Sequence, residues 1–413
     1  IDYFDVVTAS HSANIAQELL AIVASRAGEV VRLDDVMAQH DAGFFVLWAP
    51  GSGAPAISEI ARRIISRFNQ PVVTSAGQLP ITVSVGVTSV AGRQCRETTS
   101  RALKRQARSA VVQAQRAGRA QLAVFDRAMQ KQAIESYETE RHLHAALRNK
   151  RLGVNYQPIV SLHSGETVGV EALARWDDDV LGPISPTTFI PIAEEAGLIG
   201  ELGRLVLRAA INQGHIWNRD GHPAPVTSVN VSNRQLLDPE LIPTIDLLLA
   251  ESSLDPRQLC LEISESVVMS DVAASMTILG HMKDLGLRLA IDNFGTGYSS
   301  LSYLRRLPVD MLKIDQSFVQ SIYNRDDRVI TKAIIDLAHT LGMTTVAEGV
   351  ETRLQVEVLH ALNCDMAQGF YLHAPTAAES VDFGRINFEA PSLSENPDFS
   401  SASATTTGQY VRQ

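Results

Sequence analysis

Eight short β-prone segments recur between residues 154 and 372, and most of them end in a carboxylate, a carboxamide or a lysine. They are VNYQPIV (154–160), TVGVEALARW (167–176), VTSVNVS (226–232), LCLEIS (259–264), RLAIDNF (288–294), MLKID (311–315), TTVAEGV (344–350) and DMAQGFYL (365–372). Helical patterns separate most of them, as in Ile192 to Trp217, Ser275 to Leu285 and Val329 to Leu341. Strand alternating with helix over about 235 residues predicts an α/β fold, a (β/α)8 barrel of TIM type. In such barrels function gathers at the carboxyl ends of the strands. The polar residues stand there: Glu171, Asn230, Glu262, Asp292, Asn293, Lys313, Glu348 and Gln368.

These side chains point to one chemistry. Glu171, Asn230, Glu262, Asp292 and Glu348 are hard oxygen donors with no Cys or His among them. Carboxylates gathered in one mouth repel unless cations neutralise them, and all-oxygen sites favour Mg²⁺ or Mn²⁺ over Zn²⁺. Two such ions can bind a phosphodiester and activate a water, with Lys313 as a fixed positive charge beside the phosphate. A single acid at a strand end is more often a turn or helix cap than a ligand. Acids at several successive strand ends, with no basic residues interleaved, reverse that expectation. Gly295-Thr296-Gly297 has Ser300 where a dinucleotide loop needs its third glycine, so a Rossmann reading carries little weight.

The rest of the chain supplies the frame. Residues 1–126 alternate helix and strand, with helices at Ala13 to Arg26, Ile57 to Phe68 and Thr99 to Ala117. Strands are expected at Phe44 to Trp48, Ile81 to Val90 and Leu122 to Phe125. Residues 127–150 read as a connecting helix, 151–388 as the barrel and 389–413, rich in Ser, Thr, Ala and Asn, as a disordered tail. With Lys+Arg at 36 and Asp+Glu at 46, the formal charge of −10 argues against a nucleic-acid partner. The basic face Arg101, Lys104, Arg105 and Arg108 reads as solvated or acid-paired. Cys95, Cys260 and Cys364 form no CxxC pair and fit a reducing, cytoplasmic setting. No apolar run approaches the roughly 18 residues of a membrane span. The chain opens on Ile1 rather than Met and is expected to be part of a longer protein, with any anchor upstream.

Over 138–388 the motifs resemble the EAL domain, the cyclic di-GMP phosphodiesterase family. Glu171-Ala172-Leu173 carries its name, and YQPIV (156–160), PTTFIPIAEEAGL (186–198), VNVS (229–232), LEISES (261–266), DNFGTGYSSL (292–301), LKIDQSFV (312–319), AEGVE (347–351) and AQGFYL (367–372) accompany it. The resemblance implies a modified TIM barrel that opens cyclic di-GMP to linear pGpG with two metal ions, as a cyclic-guanylate-specific phosphodiesterase. By position it implies Glu171, Asn230, Glu262 and Asp292 as ligands of the first metal. Asp292 would bridge to the second, with Glu348 near that metal or acting as base. Lys313 would orient water and phosphate, and Gln368 would complete the site. Arg175 would contact a substrate phosphate, and Gln157 and Leu173 the substrate. Glu265 would anchor the Asp292 loop, with Ser264 standing where threonine is usual. Asn293 departs from the family, which has a second Asp there. Its neutral side chain implies weaker binding of the second metal, and a receptor that binds without turnover is the alternative. The family also implies a homodimer.

Residues 1–126 resemble a GGDEF domain, the diguanylate cyclase module, through IDYFDVV (1–7), ITVSVGVTSV (81–90) and AGRAQLAVF (117–125). The name motif falls on His40-Asp41-Ala42-Gly43-Phe44, without its glycine turn and with Ala42 and Gly43 where two acids belong. Thr8 and Gln17 replace guanine-reading residues and Gln115 replaces a lysine, so no synthesis of cyclic di-GMP is expected. A packing or dimerising role is expected instead, with residual GTP binding as a regulatory input kept as the alternative.

Overall fold

The computed structural model describes residues 1–386 apart from 3, 5–6, 8–12, 32–34, 41–43, 49–53, 91–97, 222–224 and 296–300. Cys95, Thr8, residues 41–43 of the name motif, Thr296 to Ser300 and the 389–413 tail therefore lie outside the described residues. The chain divides into two compact units, Ile1–Thr139 and Glu140–Gln413, and one helix, Arg127–Arg148, runs across the division.

The first unit is mixed α/β, with three two-stranded pairings. Strands β1 (Val36–His40) and β2 (Phe44–Trp48) are antiparallel, with His40 opposite Phe44. β3 (Val72–Thr74) and β4 (Gly77–Leu79) form a hairpin, and β5 (Val85–Val87) runs parallel to β6 (Leu122–Val124). Leu19, Val23, Phe68, Val72, Ile81 and Val83 make its core. Helices Ala13–Gly28, Ala54–Ser66 and Ser100–Arg116 stand where the apolar spacing predicts them. The strand expected over 81–90 shrinks to three residues. Residues 82 and 84 bond instead to buried Asp2: the Thr82 and Ser84 hydroxyls donate to its carboxylate at 2.8 and 2.7 Å, and Asp2 N–H donates to Thr82 C=O. Gly86 lies so close under the last helix that a Cβ there would meet Ala107 O at 2.3 Å, which fixes how tightly β5 and that helix pack.

The second unit is an eight-stranded closed barrel. Its strands are β7 (Leu152–Ser161), β8 (Thr167–Asp178), β10 (Val226–Val231), β11 (Leu259–Ser264), β12 (Arg288–Phe294), β13 (Met311–Ile314), β14 (Thr344–Ala347) and β15 (Met366–Ala367). They pair in that order, and β8 closes on β10. All neighbours are parallel except β7, which is antiparallel to both β8 and β15. A short strand, β9 (Gly182–Ile184), extends β8. The helix expected over Ile192 to Trp217 is two helices, Pro186–Glu195 and Ile199–Arg219, because Gly197 between them has φ 74° and ends the first. The segment 365–372 contributes only Met366–Ala367 to the sheet; the following turn folds over Val350, and a Cβ at Gly369 would strike Val350 O at 2.1 Å.

Period-two alternation positions the site. In β11 Leu259, Leu261 and Ile263 face the helices, and each buried side chain contributes roughly 1.5–3 kcal/mol. The alternate residues face inward. Ile159, Cys260, Ala290, Met311 and Val346 pack there as an apolar floor, with Val226 and Met366 against them. Two residues further toward the mouth on the same strands stand Gln157, Glu262, Asp292, Lys313, Glu348 and Gln368. At the opposite end, carboxylates clamp the loops that enter the strands. Asp310 accepts from Lys283 Nζ at 2.7 Å and from Leu289 N–H at 2.8 Å. Asp365 accepts from Thr345 N–H at 2.8 Å and Thr345 Oγ1 at 2.7 Å, and pairs with His339 Nε2 at 2.8 Å.

Candidate active site

Lys313 stands at the centre of the mouth, 1% exposed. Its Nζ lies 2.6 Å from Glu262 Oε2, 2.6 Å from Glu348 Oε1, 3.3 Å from Glu171 Oε2 and 3.8 Å from Asp292 Oδ1. Four carboxylates on four different segments of the barrel therefore converge on one ammonium. Glu171 is held on both sides: Asn230 Nδ2 donates to its Oε1 at 2.6 Å and Gln368 Nε2 to its Oε2 at 2.7 Å. Gln368 also donates to Gln157 Oε1 at 2.9 Å, and Gln157 Nε2 donates to His373 C=O at 3.0 Å. Leu173 and Arg175 follow Glu171 at alternate positions of β8, on the same inward face.

Asp292 and Asn293 sit where β12 departs from register with β13, between Ile291 and Phe294. Asn293 has φ 55°, a left-handed conformation that Asn tolerates better than most residues. Its backbone N–H donates to Asp292 Oδ1 and its Nδ2 to Asp292 Oδ2, both at 2.9 Å. Glu265, 2% exposed, accepts from Gly295 N–H at 2.8 Å and so ties the end of β12 to the start of the helix Glu265–Ser270.

The electrostatics follow from four acids around one base. Burial works against the Lys313 charge, yet the surrounding carboxylates hold its pKa well above the usual lysine value. Burial raises Glu171, but Lys313, Gln368 and Asn230 outweigh it and the pKa ends lowered. Burial pushes Glu262 well above the carboxylate range; Lys313 opposes this and the charges of Glu171 and Asp292 reinforce it. Burial, resisted by Lys313 and aided by Asp292, raises Glu348 to about 7. One ammonium does not neutralise four acids, and Glu262 Oε1 is buried without a hydrogen-bond partner. This donor set, all oxygen with surplus negative charge and an orphaned buried carboxylate oxygen, fits hard divalent cations. Among the described residues no group of three or more His, Cys, Asp or Glu stands in an arrangement that could hold a metal ion, and the Lys313 ammonium lies between the carboxylates.

Above the cluster, β7 and β8 form a ramp of inward-facing pairs: Gln157 opposite Glu171, Asn155 opposite Leu173, Gly153 opposite Arg175. An open cleft of about 530 Å³ runs along the upper ramp, bounded by Arg151, Asn155, Arg175, Asp177 and the end of β9 with Ser185 and Pro186. Arg175 spends one donor on Ala174 C=O at 2.8 Å and keeps the others for the cleft. The motif reading missed Gly153, Asn155 and Asp177; their shared parity with Gln157 and Glu171 is the signal that finds them. In the first unit Gln17 is exposed, and Gln115 Nε2 donates to Asp2 Oδ1 at 3.4 Å.

Comparison with known proteins places both units. MucR of Pseudomonas aeruginosa, described as a bifunctional diguanylate cyclase/cyclic di-GMP phosphodiesterase, is 36% identical over 382 residues, covering 92% of this chain and 55% of its own length. NbdA of the same organism, a cyclic di-GMP phosphodiesterase, is 34% identical over 385 residues, 92% of this chain and 48% of its own. The chain thus spans about half the length of these curated relatives. Among solved structures, the PaMucR phosphodiesterase in complex with c-di-GMP is 42% identical with TM-score 0.57, covering 59% of this chain and 98% of that one. The FimX EAL domain from Pseudomonas aeruginosa bound to c-di-GMP is 26% identical with TM-score 0.56, covering 60% and 100%. Residues 1–121 match the family model described as diguanylate cyclase, GGDEF domain, and residues 140–375, more than half of the chain, match the EAL domain. The chain belongs to the EAL domain family, with a GGDEF domain in tandem before it.

Proposed function

We propose that the barrel hydrolyses cyclic di-GMP to linear pGpG. The observation that carries this reading is the convergence of Glu171, Glu262, Asp292 and Glu348 on Lys313, with Arg175 four residues beyond Glu171 on the same strand, β8. Glu171, Asn230, Glu262, Asp292 and Glu348 would hold two Mg²⁺ or Mn²⁺ ions, with Asn293 beside the second. When bound, those ions lower the pKa of water and offset charge on the phosphodiester.

The chain's own groups do the rest. Arg175 holds a phosphate of the substrate, while Gln157 and Leu173 flank it. Glu348, held near neutrality by its surroundings, accepts a proton from the attacking water. The water oxygen bonds to phosphorus, the bond from phosphorus to the ribose 3′ oxygen breaks, and the proton taken up by Glu348 passes to that oxygen, which leaves as the 3′-hydroxyl. Lys313 supplies a buried positive charge beside the reacting phosphate and keeps Glu262 and Glu348 aligned. Glu265 fixes the loop that carries Asp292.

One observation favours a second reading, a receptor that binds cyclic di-GMP without turnover: both oxygens of Asp292 already accept hydrogen bonds from the neutral Asn293. Incubation with cyclic di-GMP and Mg²⁺ or Mn²⁺, resolved by chromatography, separates the two. Appearance of pGpG supports hydrolysis; binding without product supports the receptor.

The GGDEF-like unit is proposed to be inactive as a cyclase and to pack, dimerise or bind GTP as a regulatory input, in a cytoplasmic homodimer. Restoring Asp at Ala42 alone would not give synthesis.

A further inference from the structure

Gly153 is the second residue of the ten-residue strand β7, where a side chain with strand preference would serve the strand better than glycine. The usual reasons for a glycine are missing. Its φ is not positive, so no left-handed turn demands it. A Cβ built on it meets nothing within 4 Å, so no neighbouring backbone or side chain needs the room. Gly86 and Gly369, by contrast, are pressed against backbone atoms at 2.3 and 2.1 Å. Gly153 is exposed, faces the cleft, and stands directly across the ladder from Arg175.

A strand glycine that the chain itself does not need marks a place where something from outside comes close to the backbone. We propose that Gly153 is a specificity-determining residue for the nucleotide: its bare backbone is the floor on which a nucleobase lies flat, next to the phosphate that Arg175 takes. A base is planar and about 3.5 Å thick, so a face-on approach to peptide atoms requires that no Cβ project between them. The distance along the ramp suits this. Gly153 is four residues from Gln157, on the order of 13 Å at 3.3 Å per residue, so a base at Gly153 leaves the reacting phosphodiester within reach of the carboxylates. The inference rests on the reading of the site as one for cyclic di-GMP.

The test measures stability and binding in the same variants. Cyclic di-GMP is titrated calorimetrically into the full chain, with EDTA and separately with Mg²⁺, for wild type, Gly153→Ala and Gly153→Val. Thermal unfolding is followed alongside. The expected result is that both variants keep or raise Tm, because a Cβ there fits open space and favours a strand. Kd should rise about threefold for Ala and at least tenfold for Val. Wild-type affinity in Gly153→Val overturns the inference and leaves the proposed function intact. A fall in Tm together with the loss of binding also overturns it, since that pattern belongs to a structural glycine. Absence of binding by the wild type overturns the cyclic di-GMP reading, and the inference with it.

Discussion

At the scale of single residues, the mouth of the barrel is a place where charge is held against its own preference. Glu348 titrates near 7 in the metal-free protein, above its unfolded value. A carboxyl raised in this way favours the fold below the unfolded pKa, and that contribution is lost as pH climbs through 7. Metal-free Glu348→Gln should therefore be more stable than wild type at pH 8, on the order of 2 kcal/mol, and close to it at pH 5. Turnover of cyclic di-GMP should disappear in the same variant, and in Glu171→Ala. Thermal melts at the two pH values and a pGpG assay check both. Lys313→Met removes the ammonium on which four acids converge and should cost about 3–5 kcal/mol at pH 8. Lower pH or added Mn²⁺ should return part of it; a melt insensitive to both would mean that surplus carboxylate charge is not what governs the mouth. Asn293→Asp keeps the backbone N–H but replaces the Nδ2 donor to Asp292 with a repelling carboxylate. It should lower stability in EDTA by roughly 1.5–3 kcal/mol, read as a lower Tm, and increase the gain in Tm on adding Mn²⁺.

At the scale of elements, several barrel strands announce themselves because a polar residue stands two positions beyond an apolar one on the inward face. Cys260 then Glu262, Met311 then Lys313, and Val346 then Glu348 show that step in the bare sequence. The motif residues gather in one mouth for this reason. The left-handed Asn293 was not legible, because a bulge depends on the neighbouring strand's register. Neither was the two-helix break at Gly197 or the short β15, where tertiary packing overrides local periodicity. In the first unit the 81–90 alternation mispredicts strand length: only Val85–Val87 pair with β6, while residues 82 and 84 bond to Asp2. The clamps at the barrel's far end are equally non-local. Burial opposes the Asp365 charge, but His339 and Thr345 hold its pKa below the usual value. Its contribution is thus present at neutral pH and fades as pH falls through the folded pKa. Asp365→Ala should lower stability by about 1–3 kcal/mol at pH 7, less in acid, with kcat retained. Melts at pH 7 and in acid, with a turnover assay, would check it.

At the scale of the whole molecule, the two units have separate cores, one built on Leu19, Phe68 and Val72 and the other on the barrel layers. Asp2 serves the first alone: it collects Thr82, Ser84, Gln115 and the Ala120 N–H. Asp2→Ala should bring forward the unfolding of residues 1–139 and leave pGpG formation by the barrel unchanged below that transition. Calorimetry alongside a turnover assay reads both. Among the described residues no helix is long and apolar enough to cross a membrane.

Reversing one strand has a topological outcome. In an all-parallel (β/α)8 barrel the polypeptide starts at the closed base and meets the reactive end only after its first strand. Here β7 runs the other way, so the incoming chain arrives at the open end, and the first backbone it lays down is the stretch beside Arg175. The helix Arg127–Arg148 thus leads within a handful of residues to Gly153 and the lining of the cleft, before any other barrel strand begins.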